Sequence, residues 1–384
     1  MRIAYISTLQ TMPWGGSEEL WYQSAEEAIR VGHKLGVFIY DWDNCPAQII
    51  KLKEAGAIIY KRNRNVSLLN RFVNKILLKA FGKRSNFNNP YNPLLSFKPD
   101  IIVVTDGSTY YTVNDKNLSK LLLQSFKKKY IIISQSNSYY HLPFKRRYAI
   151  HLFENAARIF FVSEQNRRVA FHQLAFKLTK TDLIQNPVLL ADFNSFELPS
   201  VSDTIHCGLV GRFSIADKGQ DILIEMLSDD LWRNSNIVFH LYGHGADREY
   251  LENLITFYQL YNKVIIEGFK DNRAEIWKKC HCLLMCSHAE GSPLTVLEAM
   301  IAGRVCIVTN VGGNSEWIND GENGFLVSAP DKELFSAKLQ VALERINEWN
   351  IIGERAHYTA MKKIDANPGK TLLNKIEEIV VCKS

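Results

Sequence analysis

Residues 288–309 constrain the fold of this chain more than any other stretch, because they combine a polar loop, a helix and a buried strand. Ser292 is a favourable N-cap and Pro293 a favourable first helical residue, so we expect a helix to begin there. Gly303 predicts a left-handed turn at the end of that helix. The apolar run Val305–Thr309 predicts a buried strand. A helix that leads directly into such a strand is typical of parallel α/β sheets.

Two glutamates, Glu290 and Glu298, flank the start of this helix. Unbonded N–H groups at a helix start attract phosphate without any cation. Glu298 is expected about 9 Å farther along the helix, since each residue adds about 1.5 Å. That is about the distance from a diphosphate to the ribose of the same nucleotide. Glu290 lies on the other side of the helix start, so we expect it to face the group that the diphosphate carries. The candidate phosphate-binding residues are Gly291, Ser292, Pro293, Leu294 and Thr295.

Apolar strands and amphipathic helices alternate along both halves of the chain. A chain of 384 residues has room for two domains, and residues 197–203, with Pro199 and two serines, are typical of a linker. We therefore predict an α/β protein in which each half holds a parallel sheet. The predicted strands cover residues 2–8, 34–40, 57–60, 101–104, 130–134, 158–162 and 183–188 in the first half, and 205–210, 238–242, 264–266, 283–286 and 305–309 in the second.

Composition restricts the classes of protein to which this chain can belong. Hydrophobic residues make up 46% of it, yet no run approaches the roughly 18 uncharged apolar residues of a membrane span. The first residues, MRIAYISTL, predict a strand and not a signal peptide. The seven scattered cysteines fit a reducing cytoplasm better than a disulfide framework. We therefore expect a cytoplasmic protein, and no nucleic acid as a partner.

The net charge of +6 is concentrated in the first half of the chain. Residues 55–99 contain nine Lys and Arg and no Asp or Glu, and residues 127–129 and 145–147 add further basic clusters. Within the acid-free span, residues 66–81 predict an amphipathic basic helix. Such a helix can lie on an anionic membrane surface, but a domain helix with a solvated basic face has the same pattern. Peripheral attachment to the inner membrane face and a purely soluble protein both remain open.

The segment 280–288 places three cysteines and two histidines close together, which resembles a metal cluster. Zinc ligands usually come in pairs two to four residues apart on turns. Here the segment predicts a strand, in which Cys282, Leu284 and Cys286 share one face. Buried free cysteine is common in protein cores, so we interpret these residues as core and expect no metal.

Several motifs together resemble retaining glycosyltransferases of the GT-B fold, specifically the family 4 type (glycosyl transferases group 1). The spacing of Glu290 and Glu298 is that of the E-x7-E motif of this family. The resemblance implies two Rossmann-like parallel-sheet domains that face each other across a cleft. They would be an acceptor-side domain at 1–195 and a nucleotide-sugar-binding domain at 196–365, with a helix in 366–384 expected to return to the first. The other motifs, in family order, are GG-x-E at 15–18, GRF…KG at 211–219, G-x-G at 243–245, Gly303 and GG…E at 312–316.

The resemblance also implies a role for each motif residue. Arg212 and Lys218 hold the diphosphate and stabilise the negative charge that it gains as the glycosidic bond breaks. Glu298 holds the ribose hydroxyls and Glu290 contacts hydroxyls of the donor sugar. No Asp-x-Asp pair with family-like context is present, so we expect neither a divalent ion nor another cofactor. The remaining predicted donor-site residues are Gly15, Gly16, Gly211, Gly243, Gly268 and Phe269.

The first half departs from the family at one position that matters for chemistry. Many members carry a histidine near the reacting carbon, at the end of the strand that here is 130–134. This chain has Gln135, Ser136 and Asn137 there, with His141 a few residues later. These four are the acceptor-side candidates. An amide cannot act as a base, but the mechanism of the family is often drawn with the leaving phosphate taking the acceptor proton.

The sequence therefore predicts a retaining glycosyltransferase. The expected donor is a nucleotide sugar linked to UDP, and the expected acceptor is a saccharide or lipid-linked saccharide of a cell-surface glycan. Two alternatives stay open on the same fold, a nucleotide-sugar epimerase and a non-catalytic nucleotide-sugar-binding module. An epimerase needs acid–base carboxylates around the sugar and no acceptor cleft. The presence of both glutamates together with Arg212 and Lys218 disfavours the binding module.

Overall fold

The computed structural model describes residues 1–10, 12–63, 89–136, 145–190, 193–199 and 204–382. The chain divides into two compact units. Unit 1 comprises Met1–Val162, Arg167–Pro187 and Ala366–Ser384, and unit 2 comprises Ser163–Asn166 and Val188–Asp365. The division after Pro187 comes earlier in the chain than the predicted boundary between 195 and 196. The predicted helix at 66–81 lies outside the described residues.

Unit 1 is built on a seven-stranded sheet with the order β3-β2-β1-β4-β5-β6-β7. Every neighbouring pair runs parallel. The inner strands are apolar along nearly their whole length, which fits a sheet covered on both faces. The strands are β1 (Arg2–Ser7), β2 (Lys34–Tyr40), β3 (Ile58–Arg62), β4 (Ile101–Asp106), β5 (Tyr130–Ser134), β6 (Arg158–Phe161) and β7 (Thr181–Leu183).

The C-terminal helix, Pro368–Val381, packs against the first helix of unit 1. Leu372 and Ile376 are fully buried in one apolar cluster with Trp21. The two helices approach so closely that a Cβ atom on Gly369 would lie 2.5 Å from Gln23 Cβ. The described helices before it are α1 (Gly16–Arg30), α2 (Ala47–Glu54), α3 (Pro93–Phe97), α4 (Tyr111–Asn114), α5 (Lys116–Ser125), α6 (Arg146–Glu154) and α7 (Glu164–Leu174).

Unit 2 holds a six-stranded parallel sheet with the order β10-β9-β8-β11-β12-β13. The chain builds outward from β8 in one direction and then returns to add β11 on its other side. Open α/β sheets bind ligands beyond the carboxyl ends of their strands at such a reversal. The strands are β8 (Ile205–Val210), β9 (Ile237–Tyr242), β10 (Val264–Gly268), β11 (Cys282–Met285), β12 (Val305–Thr309) and β13 (Phe325–Val327).

Helices cover both faces of the unit 2 sheet, over two apolar clusters. Cys282, Leu284 and Cys286 lie in one cluster and Leu283 and Met285 in the other, which confirms the predicted alternation. Among the described residues no helix is long and apolar enough to span a bilayer. The helices are α8 (Ile215–Lys218), α9 (Gln220–Ser228), α10 (Asp230–Arg233), α11 (Arg248–Phe257), α12 (Arg273–Lys279), α13 (Leu294–Ile301), α14 (Asn314–Trp317), α15 (Lys332–Glu344), a 3-10 turn (Ile346–Glu348) and α16 (Trp349–Lys363).

Helix α13 has a different N-cap residue from the one predicted, but it ends in the predicted glycine turn. Pro293 is the N-cap residue, with ψ 68°, and no side chain caps the helix. The predicted cap, Ser292, instead accepts a bond at its carbonyl from Leu294 N–H at 2.9 Å. Gly303 has φ +72°, and the N–H of Arg304 bonds to Ala299 O at 2.8 Å. The left-handed glycine turn is therefore confirmed.

Candidate active site

Two loops at the carboxyl ends of β8 and β9 pack backbone against backbone. Gly211 N–H donates to Tyr242 O at 2.9 Å, and Gly243 N–H donates to Gly268 O at 2.9 Å. Gly243 has φ +151°, and a Cβ atom there would lie 1.9 Å from Gly211 O. At Gly245 a Cβ atom would lie 2.1 Å from Phe213 O. These glycines are required because only bare backbone fits between the two loops.

The loop after β11 contacts the short helix α8 in the same way. His288 N–H donates to Asp217 O at 2.9 Å. A Cβ atom on Gly219, which has φ +58°, would lie 2.3 Å from Cys286 O. On the other side of the loop, a Cβ atom on Gly312 would lie 2.5 Å from Glu290 O. The loop is therefore fixed on both sides, and Lys218 and Glu290 are fixed with it.

Lys218 and Glu290, two residues predicted for the site, form an ion pair. Lys218 Nζ lies 2.6 Å from Glu290 Oε1, and Ser287 Oγ donates to the same oxygen at 2.7 Å. The Glu290 side chain is 9% exposed and that of Lys218 23%. The carboxylate is thus shielded from water and receives a fixed donor on one oxygen, while the ammonium group remains partly open to a ligand.

Arg212 is paired with a neighbouring acid that the sequence analysis did not single out. Its guanidinium lies 2.5 Å from Asp217 Oδ2, which also accepts a bond from Ser214 Oγ at 3.1 Å. Both partners are about two-fifths exposed. Gln220 Nε2 donates to Arg212 O at 2.8 Å and fixes the backbone. Each predicted cation therefore has an acid beside it. A bound diphosphate would have to displace that acid or share the cation with it.

Glu298 is a buried carboxyl group on the second turn of α13. It is 4% exposed, and its Oε2 has no hydrogen-bond partner among the described residues. Burial raises its pKa to about 7, against a smaller lowering effect of the Arg273 guanidinium. An unsatisfied buried oxygen costs stability, so this one is well suited to receive a ligand hydroxyl.

The start of α13 has two backbone N–H groups with no acceptor in the part of the chain that the structure describes, one of them at Val296, which is fully buried. Since Leu294 N–H bonds to Ser292 O and Leu297 N–H to Pro293 O, the N–H groups of Thr295 and Val296 have no partner among the described residues. Donors in this position hold anions. The unpaired N–H groups therefore lie one residue farther along the helix than the predicted anion site, and Pro293 has no N–H to donate.

Phe269 and Arg273 lie together at the carboxyl end of β10. Phe269 is 50% exposed, the Arg273 guanidinium lies 5.0 Å from its ring centre, and His244 packs edge-on at 5.5 Å. Gly268 precedes it with φ +76° and open space around the α-carbon. The sequence predicted Gly268 and Phe269. It gave no signal for Arg273, whose position beside Phe269 depends on the fold of the loop.

The predicted first-half residues lie in unit 1. Gly15 is the N-cap of α1 and Gly16 is its first residue, so Ser17, although serine is a common cap residue, does not cap this helix. Asn186 Nδ2 donates to buried Gln135 Oε1 at 2.7 Å, while Gln135 Nε2 has no partner among the described residues. Ser136 Oγ donates to a backbone carbonyl at 2.7 Å. Asn137 and His141 lie outside the described residues.

Residues 192–357 match the family model "Glycosyl transferases group 1". The predicted resemblance to this family is therefore confirmed over this part of the chain. The match covers nearly all of unit 2, including both loops and the helix α13. The finer family 4 assignment stays a prediction.

Two relatives with named activities illustrate the similarity. The UDP-N-acetylglucosamine–peptide N-acetylglucosaminyltransferase GtfA subunit of Streptococcus parasanguinis is 24% identical over 236 residues, which are 61% of this chain and 45% of that protein. The UDP-Gal:alpha-D-GlcNAc-diphosphoundecaprenol alpha-1,3-galactosyltransferase of Escherichia coli is 32% identical over 101 residues, 26% of each chain. The chain spans less than half the length of the curated relatives that it matches.

Solved structures resemble the chain over its full length. The structure of HepE from Anabaena in complex with UDP aligns with a TM-score of 0.67 and 18% identity, covering 100% of both chains. At this identity the likeness concerns the fold alone. Together with the two parallel sheets, it confirms the predicted α/β GT-B architecture of two Rossmann-like units.

Proposed function

We propose that the protein is a retaining glycosyltransferase that moves a sugar from a UDP-linked donor to a saccharide or lipid-linked saccharide, without a metal ion. The observation that carries this proposal is the buried Glu298 with an unsatisfied oxygen, on the same helix as the open N–H groups of Thr295 and Val296. Glu298 lies only about 3–5 Å farther along the helix axis than these N–H groups, at 1.5 Å per residue. In the proposed complex the diphosphate of one nucleotide meets the N–H groups and its ribose meets Glu298. The UDP complex of HepE and the lipid-linked acceptor in the name of the E. coli relative support the choice of substrates.

The ion pair between Lys218 and Glu290 suggests how donor binding prepares the site. A diphosphate carries more negative charge than one carboxylate, so it competes with Glu290 for the Lys218 ammonium group. Once the Lys218 ammonium group binds the phosphate instead, Glu290 can accept hydrogen bonds from hydroxyls of the donor sugar. As the bond between C1 and the phosphate oxygen breaks, charge builds up on the diphosphate, where Lys218 and Arg212 stabilise it.

The proposed transfer retains the configuration at C1. The acceptor oxygen forms its bond to C1 on the face from which the diphosphate leaves, and its proton passes to the departing phosphate oxygen. The uncharged amide of Gln135, in the place where many family members have histidine, fits a mechanism without a protein base at that position. Two cations and two backbone donors supply the charge stabilisation for which other transferases use a divalent ion.

We also propose that the enzyme works in the cytoplasm, at the inner face of the membrane. Residues 127–129 and 145–147 form two exposed basic clusters, both in unit 1. The proposal places the lipid-linked acceptor at this surface, and several exposed cations suit its anionic lipids.

The test is a donor screen with the purified full chain. UDP release from a panel of UDP-sugars is followed with and without acceptor saccharides, in the presence of excess chelator. We expect release that depends on an acceptor and survives the chelator, and a product whose anomeric proton coupling matches the donor. Interconversion of the sugar without UDP release would instead indicate an epimerase, and UDP-sugar binding without turnover a binding module. Loss of activity that magnesium restores would refute metal independence.

A further inference from the structure

Unit 2 contains a cavity that the proposed chemistry does not use. It has a volume of about 330 Å³, within the roughly 300–1,000 Å³ of small-molecule sites. It lies between α16 and the turn that leads into β13. Because the strands are parallel, this amino end of β13 is at the opposite edge of the sheet from the donor-site loops. The residues that matter here are Asn319, Glu322, Asn323, Glu354, Arg355 and Tyr358.

The base of the cavity is held in place by one buried amide. Asn323 is 2% exposed. Its Oδ1 accepts a bond from the N–H of Asn319 at 2.7 Å, and its Nδ2 donates to Trp317 O at 3.1 Å and to Thr359 Oγ1 at 3.2 Å. The turn and the helix are therefore tied together, and the cavity is formed before any ligand arrives.

Three charged side chains in the lining keep most of their hydrogen-bonding capacity. Among the described residues, Glu354 and Arg355 form no hydrogen bond or ion pair through their side chains, although both lie beside the cavity. Glu322 accepts a single bond, from Asn319 Nδ2 at 3.2 Å. Two carboxylates and one guanidinium thus offer both acceptors and donors. Mixed charge of this kind suits a neutral ligand with many hydroxyl groups better than a multiply charged one.

An aromatic ring completes the lining. Tyr358 is 67% exposed, and the ammonium group of Lys362 lies 6.0 Å from its ring centre. A pyranose ring has hydroxyls around its edge and patches of C–H on its faces. Its hydroxyls bond to carboxylates and guanidinium groups, and its C–H face packs on an aromatic ring. The cavity presents both kinds of group together.

We propose that this cavity is a second saccharide-binding site, which holds neutral sugar units of a glycan away from the donor site. The inference rests on the proposed function in one respect, since a glycan acceptor explains why a transferase would carry such a site. It adds a specific role, the capture of a longer chain.

The test measures saccharide binding directly, by NMR titration of the full chain with chitotriose, maltotriose and lactose as probes. We expect at least one probe to bind, and Tyr358→Ala and the double variant Glu354→Gln/Arg355→Gln each to weaken it about tenfold or more. Tyr358→Phe, which keeps the ring, should bind nearly as well as the wild type. Tyr261→Ala is the matched control, since Tyr261 is 61% exposed, lies in the same unit and does not line the cavity. Saturating UDP should not displace the probe.

Two results would overturn the proposal: no binding of any probe to the wild type, or equal weakening by Tyr261→Ala and Tyr358→Ala. UDP-sugar turnover, measured in the same samples, separates this inference from the proposed function. Turnover without saccharide binding at Tyr358 rejects the second site alone. Saccharide binding that depends on Tyr358, in a protein without any turnover, supports the second site while the transferase proposal fails.

Discussion

Glu298 combines burial, an unsatisfied oxygen and a pKa of about 7 in one side chain. Hydroxyl groups of a ribose donate to a carboxylate, so nucleotide binding favours the ionised form. We expect UDP binding near neutral pH to release a proton, seen in calorimetry as a binding enthalpy that differs between phosphate and Tris buffers. Glu298→Gln should abolish that difference, and Glu298→Ala should weaken UDP binding by roughly 1–3 kcal/mol. A wild-type enthalpy independent of buffer would contradict the ribose role.

The Lys218–Glu290 pair allows binding and transfer to be separated. Glu290→Gln keeps the shape of the side chain and removes the negative charge that competes with a diphosphate. We expect it to bind UDP at least as tightly as the wild type, while transfer falls by about a hundredfold because the sugar contact is lost. Lys218→Met should lower both UDP affinity and turnover, since it also leaves a buried carboxylate unpaired. Equal loss of UDP affinity in both variants would argue against the exchange of partners.

The residues most visible in the sequence carry charge at motif positions, which is why Glu290, Glu298, Arg212 and Lys218 could be proposed as site residues. Their partners could not. Asp217 lies five residues after Arg212 and Ser287 three residues before Glu290. Each contact depends on how its own loop turns, which leaves no periodic pattern in the sequence.

At the scale of elements, the glycines of the loops differ in how much room they leave for a side chain. A Cβ atom at 243 would overlap Gly211 O, whereas one at 268 meets nothing within 4 Å. We expect Gly243→Ala to destabilise the protein by about 3 kcal/mol or more. Gly268→Ala should cost only the strain of φ +76°, about 1–2 kcal/mol. Chemical denaturation monitored by tryptophan fluorescence measures both, and similar losses would show that the close approach of the loops is not required.

Two histidines link neighbouring strands of unit 2 in a way that should make its stability depend on pH. His206 Nδ1 lies 2.9 Å from His240 Nε2, and His240 Nδ1 lies 2.8 Å from Glu267 Oε1. Burial lowers the pKa of both histidines below 6.5. Below about pH 6.5 the unfolded chain therefore binds more protons than the folded one, so this contribution to stability is lost as the pH falls.

The corresponding experiment compares melting temperatures between pH 7.5 and pH 5.5. Each histidine contributes at most about 1.4 kcal/mol per pH unit. His206→Phe should reduce the dependence on pH, and His288→Gln, at an exposed position, should leave it unchanged. Because buried acids such as Glu298 act with the opposite sign, the informative quantity is the difference between variants. An unchanged slope in His206→Phe would refute the role of the pair.

Strands were easier to predict than helix starts, and α13 and α1 show why. An apolar run of five residues such as Val305–Thr309 is too short for a typical helix and too apolar for a surface loop, so it predicts a buried strand. A helix start depends on the dihedral angles of one or two residues, and Ser17 and Ser292 both look like caps without acting as such. The left-handed turn at Gly303 was predictable because few other residues adopt it.

At the scale of the whole molecule, alternation predicted two parallel sheets but not the order of their strands. That order places β8 beside β11 and so sets the position of the donor-site loops. The membership of the C-terminal helix in unit 1 was implied by the family resemblance and not by periodicity. It depends on contacts between residues far apart in sequence, such as Leu372 with Trp21 in one core cluster. Periodicity within one strand or helix does not indicate which other strand or helix it packs against.

The distribution of charge over the molecule leads to the last prediction, salt-sensitive binding to anionic membranes. The clusters at 127–129 and 145–147 are exposed on unit 1. Each basic residue near such a surface contributes about 1 kcal/mol, and the attraction decays within a Debye length of about 8–10 Å at physiological salt. We therefore expect the six residues of the two clusters to give reversible attachment without any insertion into the bilayer.

We expect the protein to co-sediment with phosphatidylserine vesicles at low salt, to be released at high salt, and to ignore neutral vesicles. Lys127→Glu/Lys129→Glu should weaken the binding markedly. The control Lys278→Glu/Lys362→Glu makes the same change in net charge at exposed positions of unit 2 and should have a smaller effect. If both double variants weaken binding equally, net charge alone drives the attraction and unit 1 has no membrane-facing surface. If anionic and neutral vesicles bind equally little, the enzyme meets its acceptor without help from the membrane.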